Sequence, residues 1–126
     1  MTTKTALNIL VADDNQDSVG LIKAMLEASG HTVHTAYNGT DAIQLARAQQ
    51  PDVAILDLGM PGMSGNDVAK AIRLEPWGGD PLLIALTGWG TAEDKLETSW
   101  AGFDEHLTKP VSIHRIEQLI AEELES

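Results

Sequence analysis

Residues 53–65 read VAILDLGMPGMSG. Four apolar residues run into one carboxylate, Asp57, and the chain then breaks at Gly59, Pro61, Gly62 and Gly65. An uninterrupted apolar run of this length suits a strand covered on both faces, as in a parallel sheet flanked by helices. A buried strand that ends on a lone acid, followed at once by a Gly-rich loop, places a rigid carboxylate at the rim of such a sheet.

The rest of the chain repeats the pattern. Short β-type runs occur at 7–12 (LNILVA), 32–36 (TVHTA), 82–86 (LLIAL) and, more weakly, 105–108 (EHLT). Segments with helical spacing separate them: Val19, Ile22 and Leu26; Ala42, Ile43, Leu45 and Ala46; Val68, Ala69 and Ile72; Ala92, Leu96 and Trp100; Ile113, Ile116, Ile120 and Leu124. Gly30 and Gly102 fall where the first and fourth helices should stop. Ser64-x-x-Asp67 and Thr91-x-x-Asp94 read as capping boxes, and Asn38-Gly39 as a turn. Five strands alternating with five helices predict an α/β fold with a five-stranded parallel, doubly wound sheet.

The 126 residues suit one domain, read as 1–126. The formal charge is −11, from 19 acids against 8 bases, so the surface repels a phosphate backbone and direct nucleic-acid binding is not expected. Without cysteine there is no disulfide, thiolate nucleophile or zinc–sulfur site. No apolar run reaches membrane-spanning length and MTTKTALN lacks the apolar core of a secretory signal, so no membrane insertion and a cytoplasmic location are expected.

Sites in open parallel sheets form at the carboxyl ends of the strands. Here those ends carry Asp13-Asp14 after strand one, Asp57 after strand three, Thr87 after strand four and Lys109 after strand five. In the order 2-1-3-4-5 strands one and three are neighbours, which crowds the three acids. Crowded carboxylates resist ionising together, and a hard divalent cation such as Mg2+ relieves them. Each residue also has a plain alternative: Asp13-Asp14 as a helix cap, Asp57 and Thr87 as turn formers, Lys109-Pro110 as a surface dipeptide. Their convergence on one edge favours the chemical reading, in which Asp57 is a nucleophile towards phosphorus while a metal, Lys109 and Thr87 hold the transferred oxygens.

In ILVADDN (9–15), ILDLGMPGMSG (55–65), ALTG (85–88) and HLTKP (106–110), the chain resembles the receiver domain of two-component response regulators. The resemblance runs from about Asn8 to Leu124 and implies a flavodoxin-like fold. It implies that Asp57 is the phosphoacceptor for a histidine kinase or histidine phosphotransfer protein, with an unknown downstream protein as target. It further implies direct and water-mediated Mg2+ ligation by Asp14 and Asp13, and a backbone ligand at Gly59. Lys109 would pair with the phosphoryl group, Thr87 would be the switch hydroxyl, and the Lys109–Pro110 peptide would be cis. The output surface would be the face of helix four, strand five and helix five. His106 stands where the family often has Tyr or Phe, and Gly59 brings no side chain where one often acts. His31, His34 and His114 show no ligand spacing, and Met60, Met63 and Trp77 read as packing. Trp100 either extends the core stripe from Leu96 or is an exposed anchor. A receiver catalyses only its own phosphorylation and slow dephosphorylation. An aspartate-nucleophile phosphatase would place its nucleophile after strand one with a second Asp two residues on, and Gly59 stands there instead. A flavin carrier would need a phosphate loop where Asp13-Asp14 lie. The chain's end soon after the fifth helix suits a stand-alone regulator or the receiver of a hybrid histidine kinase.

Overall fold

A computed structural model describes residues 6–88 and 92–124 of the chain. The elements alternate strictly: β1 (Asn8–Ala12), α1 (Gln16–Ala28), β2 (Thr32–Ala36), α2 (Gly39–Gln49), β3 (Val53–Asp57), α3 (Gly65–Arg73), β4 (Leu82–Thr87), α4 (Ala92–Ala101), β5 (Glu105–Thr108) and α5 (Ile113–Leu124). The five strands form one parallel sheet in the order β2-β1-β3-β4-β5. β3 and β4 each run one residue past the predicted apolar run, so Asp57 and Thr87 are themselves the last strand residues.

Side chains alternate across the sheet and divide the core in two. Ile9, Val11, Val53, Ile55, Ile84 and Leu86 pack beneath α1 and α5. Leu10, Ala12, Ala54, Leu56, Leu83 and Ala85 face α2 and α3, where Met60 is buried and Met63 and Trp77 pack at the edge. This double cover is why β3 and β4 read as continuous apolar runs.

The helix ends follow from their residues. Ser64 Oγ accepts from the Asp67 N–H at 3.2 Å and caps α3. Asn38 does more than turn the chain: its Oδ1 accepts from the Asp41 N–H at 2.8 Å and caps α2. Gly30 and Gly102, after α1 and α4, adopt positive φ of 97° and 107°, which a side chain would oppose. The expected box at Thr91 lies outside the described residues. His31 is a packing residue, its Nδ1 accepting from the Leu7 N–H at 3.1 Å.

Helix α4 departs from the expected orientation. Leu96 and Trp100 are exposed, while Thr98 and Ala101 face inward. Trp100 is therefore no continuation of the core stripe. The inversion has a physical cause: the small Ala101 lets the helix approach the fold, and the Thr98 hydroxyl is bonded to Lys95 O at 3.0 Å and to His106 Nδ1 at 3.1 Å. With its single proton directed at Lys95 O, Thr98 accepts from Nδ1–H. Among the described residues, no helix is long and apolar enough to cross a membrane.

Candidate functional site

Asn15 shapes the first part of the site. Its side chain accepts from the Ser18 N–H at 3.1 Å and caps α1, a task that the preceding acids were equally suited to. Asp13 instead turns into the sheet edge, where it is fully buried and its Oδ1 accepts from the Asn15 N–H at 3.0 Å. Asp14 stays exposed. A short polar residue just before the first helical repeat was the signal for Asn15.

β3 delivers Asp57 to the same edge. The residue is only 6% exposed. The loop after it folds back, with the Leu58 N–H bonded to Leu86 O at 3.0 Å and the Gly65 N–H to Leu58 O at 3.3 Å. Gly65 must be glycine: a Cβ there would lie 2.5 Å from Asp57 O and 3.0 Å from Asp57 C. The start of α3 thus presses directly on the backbone that carries Asp57.

One ligand oxygen from each of Asp13, Asp14 and Asp57 can be chosen so that all lie within 4.8 Å of one another. Lys109 reaches in from the end of β5, after a cis Lys109–Pro110 peptide. Its Nζ is 2.9 Å from Asp13 Oδ2 and 3.2 Å from Asp57 Oδ1. The contact with Asp13 Oδ2 is a close charge pair rather than an aligned hydrogen bond. The Lys109 N–H is anchored to Thr87 O at 2.7 Å, and the Thr87 side chain is buried beside the cluster's strands. The three acids and Lys109 therefore meet at one edge, Asp14 on its open side, and Thr87 ends the adjoining strand.

The charges are unequal partners. Burial, then the neighbouring Asp13 charge, push the Asp57 carboxyl above its ordinary 3.8, against the opposing pull of Lys109 and the Gly59 N–H. Burial also opposes the Asp13 charge, but Lys109 and the Asn15 N–H outweigh it and hold that carboxyl below 3.8. Lys109 is likewise disfavoured by burial, yet the two carboxylates raise it above 10.5. One cation thus faces three acids, two of them buried. A set of three hard oxygen donors, with Asp13 Oδ2 buried and lacking an aligned donor, fits a divalent cation.

His106 is half-buried and tied to α4 through Thr98 rather than pointing freely from the sheet edge. Arg73 is a structural clamp that its sequence context did not reveal. It donates to Gly102 O at 2.9 Å, Gly78 O at 2.7 Å and Pro81 O at 3.1 Å, and pairs with Asp104 at 2.9 Å. Three of these acceptors are backbone carbonyls, which carry no residue signature.

An acidic triad and a lysine thus meet at the carboxyl edge of the 2-1-3-4-5 sheet, beside the strand that ends in Thr87. The chain belongs to the response regulator receiver domain family, whose model matches residues 9–121. It is 36% identical over 111 residues to an uncharacterized 14.6 kDa protein of Leptolyngbya boryana, covering 88% of this chain and 85% of that one. It is 35% identical over 103 residues to Protein PilH of Pseudomonas aeruginosa, covering 82% and 85%. It also matches the sensor histidine kinase GacS of Pseudomonas protegens at 34% identity, covering 91% of this chain but 13% of that protein. Among solved structures, the receiver domain of sensor histidine kinase PA1611 from Pseudomonas aeruginosa superposes with a TM-score of 0.87 at 26% identity, over 96% of this chain and 99% of that one. That structure has a magnesium ion coordinated in its active-site cleft. The chemotaxis response regulator CheY4 of Vibrio cholerae gives 0.87 at 27% identity, over 94% and 98%. The chain is a receiver domain of two-component signalling.

Proposed function

We propose that Asp57 accepts a phosphoryl group from the phosphohistidine of a histidine kinase or histidine phosphotransfer protein. The observation that carries this reading is the placement of a buried strand-end carboxylate within 4.8 Å of two other acids and 3.2 Å from the Lys109 ammonium. A carboxylate oxygen of Asp57 attacks phosphorus. The P–N bond to the donor imidazole breaks, its electron pair returns to nitrogen, and an aspartyl phosphate forms. Water later cleaves the new P–O bond and restores the carboxylate. The chain's own chemistry is limited to these two steps.

Asp13, Asp14, Asp57 and the Gly59 carbonyl would hold Mg2+, which neutralises charge on the transferred oxygens when bound. Lys109, already placed between Asp13 and Asp57, exchanges part of its carboxylate pairing for a phosphoryl oxygen. The Thr87 hydroxyl turns to a second oxygen. Its strand neighbour is Thr108 in β5, and His106 in that strand is bonded to Thr98 in α4, so movement at Thr87 has a route to the α4–β5–α5 face. There the phosphorylated state alters binding of a downstream protein. We read residues 1–126 as one such domain, working in the cytoplasm, with no nucleic-acid contact of its own.

Incubation with phosphoramidate and Mg2+ tests the reading. One base-labile, acid-stable phosphoryl group is expected on the native chain and none on Asp57→Asn. Equal labelling of that variant would overturn it.

A further inference from the structure

Helix α4 leaves its apolar pair in water. Leu96 is 63% exposed and Trp100 87% exposed, four residues apart on one face. An exposed indole forgoes one of the largest apolar burials any side chain offers. The pair does not stand alone. With Asn66 and Lys70 of α3, and Glu97 of α4, it lines an open groove of about 430 Å³ between the two helices. Lys70 and Glu97 are exposed, and neither side chain has a hydrogen-bond or ion-pair partner among the described residues.

We propose that this groove receives a second copy of the same chain, in a two-fold dimer where Trp100 of each copy lies in the α3–α4 groove of the other. An interface of this symmetry must be complementary to itself. This one is. Lys70 stands on the α3 wall and Glu97 on the α4 wall, so setting α3 of one copy against α4 of the other brings opposite charges together twice, around the apolar pair. The lining is also locally neutral, one cation to one anion, on a chain of net charge −11. Two copies meet here without the repulsion that the rest of their surfaces would impose, and at physiological salt the more distant charges are screened beyond about 8 Å. Two short helix faces make an interface at the small end of the specific range, so the dimer is transient. None of this depends on the reading of Asp57.

Sedimentation velocity of the purified chain from about 10 μM to 1 mM, at 150 mM salt, reads the association directly. The weight-average mass should rise towards that of a dimer. Trp100→Ala and Lys70→Glu should each weaken association at least tenfold, and Lys70→Glu combined with Glu97→Lys should restore it. All three positions are exposed, and circular dichroism checks that the variants stay folded. A chain that stays monomeric through 1 mM overturns the proposal and leaves the groove to a different protein. So does a dimer indifferent to Trp100→Ala, or a charge swap no better than Lys70→Glu alone.

Discussion

Gly65→Ala and Gly20→Ala are the same chemical change with opposite expected signs. Gly20 lies within α1, and a Cβ there meets nothing within 4 Å. Alanine should stabilise the protein by about 0.5–1 kcal/mol, through lower backbone entropy in the unfolded chain and better helix propensity. Gly65 opens α3, and its Cβ would meet Asp57 O at 2.5 Å, Asp57 C at 3.0 Å and Leu58 Cα at 3.1 Å. The first of these is nearly an ångström short of ordinary contact, and all three neighbours are backbone that cannot rotate away. Overpacking of this kind costs about 1–3 kcal/mol. It outweighs a propensity gain of at most about 1 kcal/mol, leaving a net loss of roughly 1–2 kcal/mol. Urea unfolding should show this as a midpoint lowered by about 1 M at unchanged slope, for a slope of about 1–3 kcal/mol/M. Because the strain falls on the peptide that carries Asp57, phosphorylation by phosphoramidate should also slow, by up to about 100-fold for an ångström of misplacement. Gly65→Ala as stable as the native chain, or Gly20→Ala as damaging as Gly65→Ala, would rule out backbone crowding as the reason for glycine at 65.

Asp57→Asn should stabilise the metal-free protein at pH 7 by about 1 kcal/mol. A folded-state carboxyl raised above 3.8 costs stability as pH rises through the window from 3.8 to its folded value, so the gain should be full above that window and vanish below it; urea midpoints across pH measure this. Lys109→Ala leaves Asp13 and Asp57 facing each other without their cation and should destabilise by about 1–3 kcal/mol. Millimolar Mg2+ should return part of that loss in thermal melts. Asp14→Ala should lower Mg2+ affinity at least tenfold by calorimetry with little change in metal-free stability, because Asp14 is the exposed acid of the cluster; unchanged affinity would remove it from the ligand set.

The fold was legible because the sheet is covered on both sides. That demand writes itself into VAIL and LLIAL, while Ser64 and Asn38 mark helix starts. The site edge was legible because β1, β3, β4 and β5 each end on, or hand over to, a polar residue at the carboxyl end. What stayed hidden depends on contacts between distant segments. Asn15 relieves Asp13 of a capping duty that either could have taken, and only the fold decides which. Arg73 bonds chiefly to carbonyls, which any sequence supplies. Helix α4 misleads most: Leu96 and Trp100 keep apolar spacing but face water, because Thr98 finds hydrogen bonds inside and the small Ala101 is buried beside it.

The proposed phosphoacceptor is Asp57 and no other acid of the cluster. Reducing the phosphorylated chain with borohydride converts an acyl phosphate to a homoserine mark, which tandem mass spectrometry locates by residue. A single mark is expected at position 57, formed only when Mg2+ is present during phosphorylation. A mark at Asp13 or Asp14, or one at position 57 formed equally well in a chelator, would contradict it.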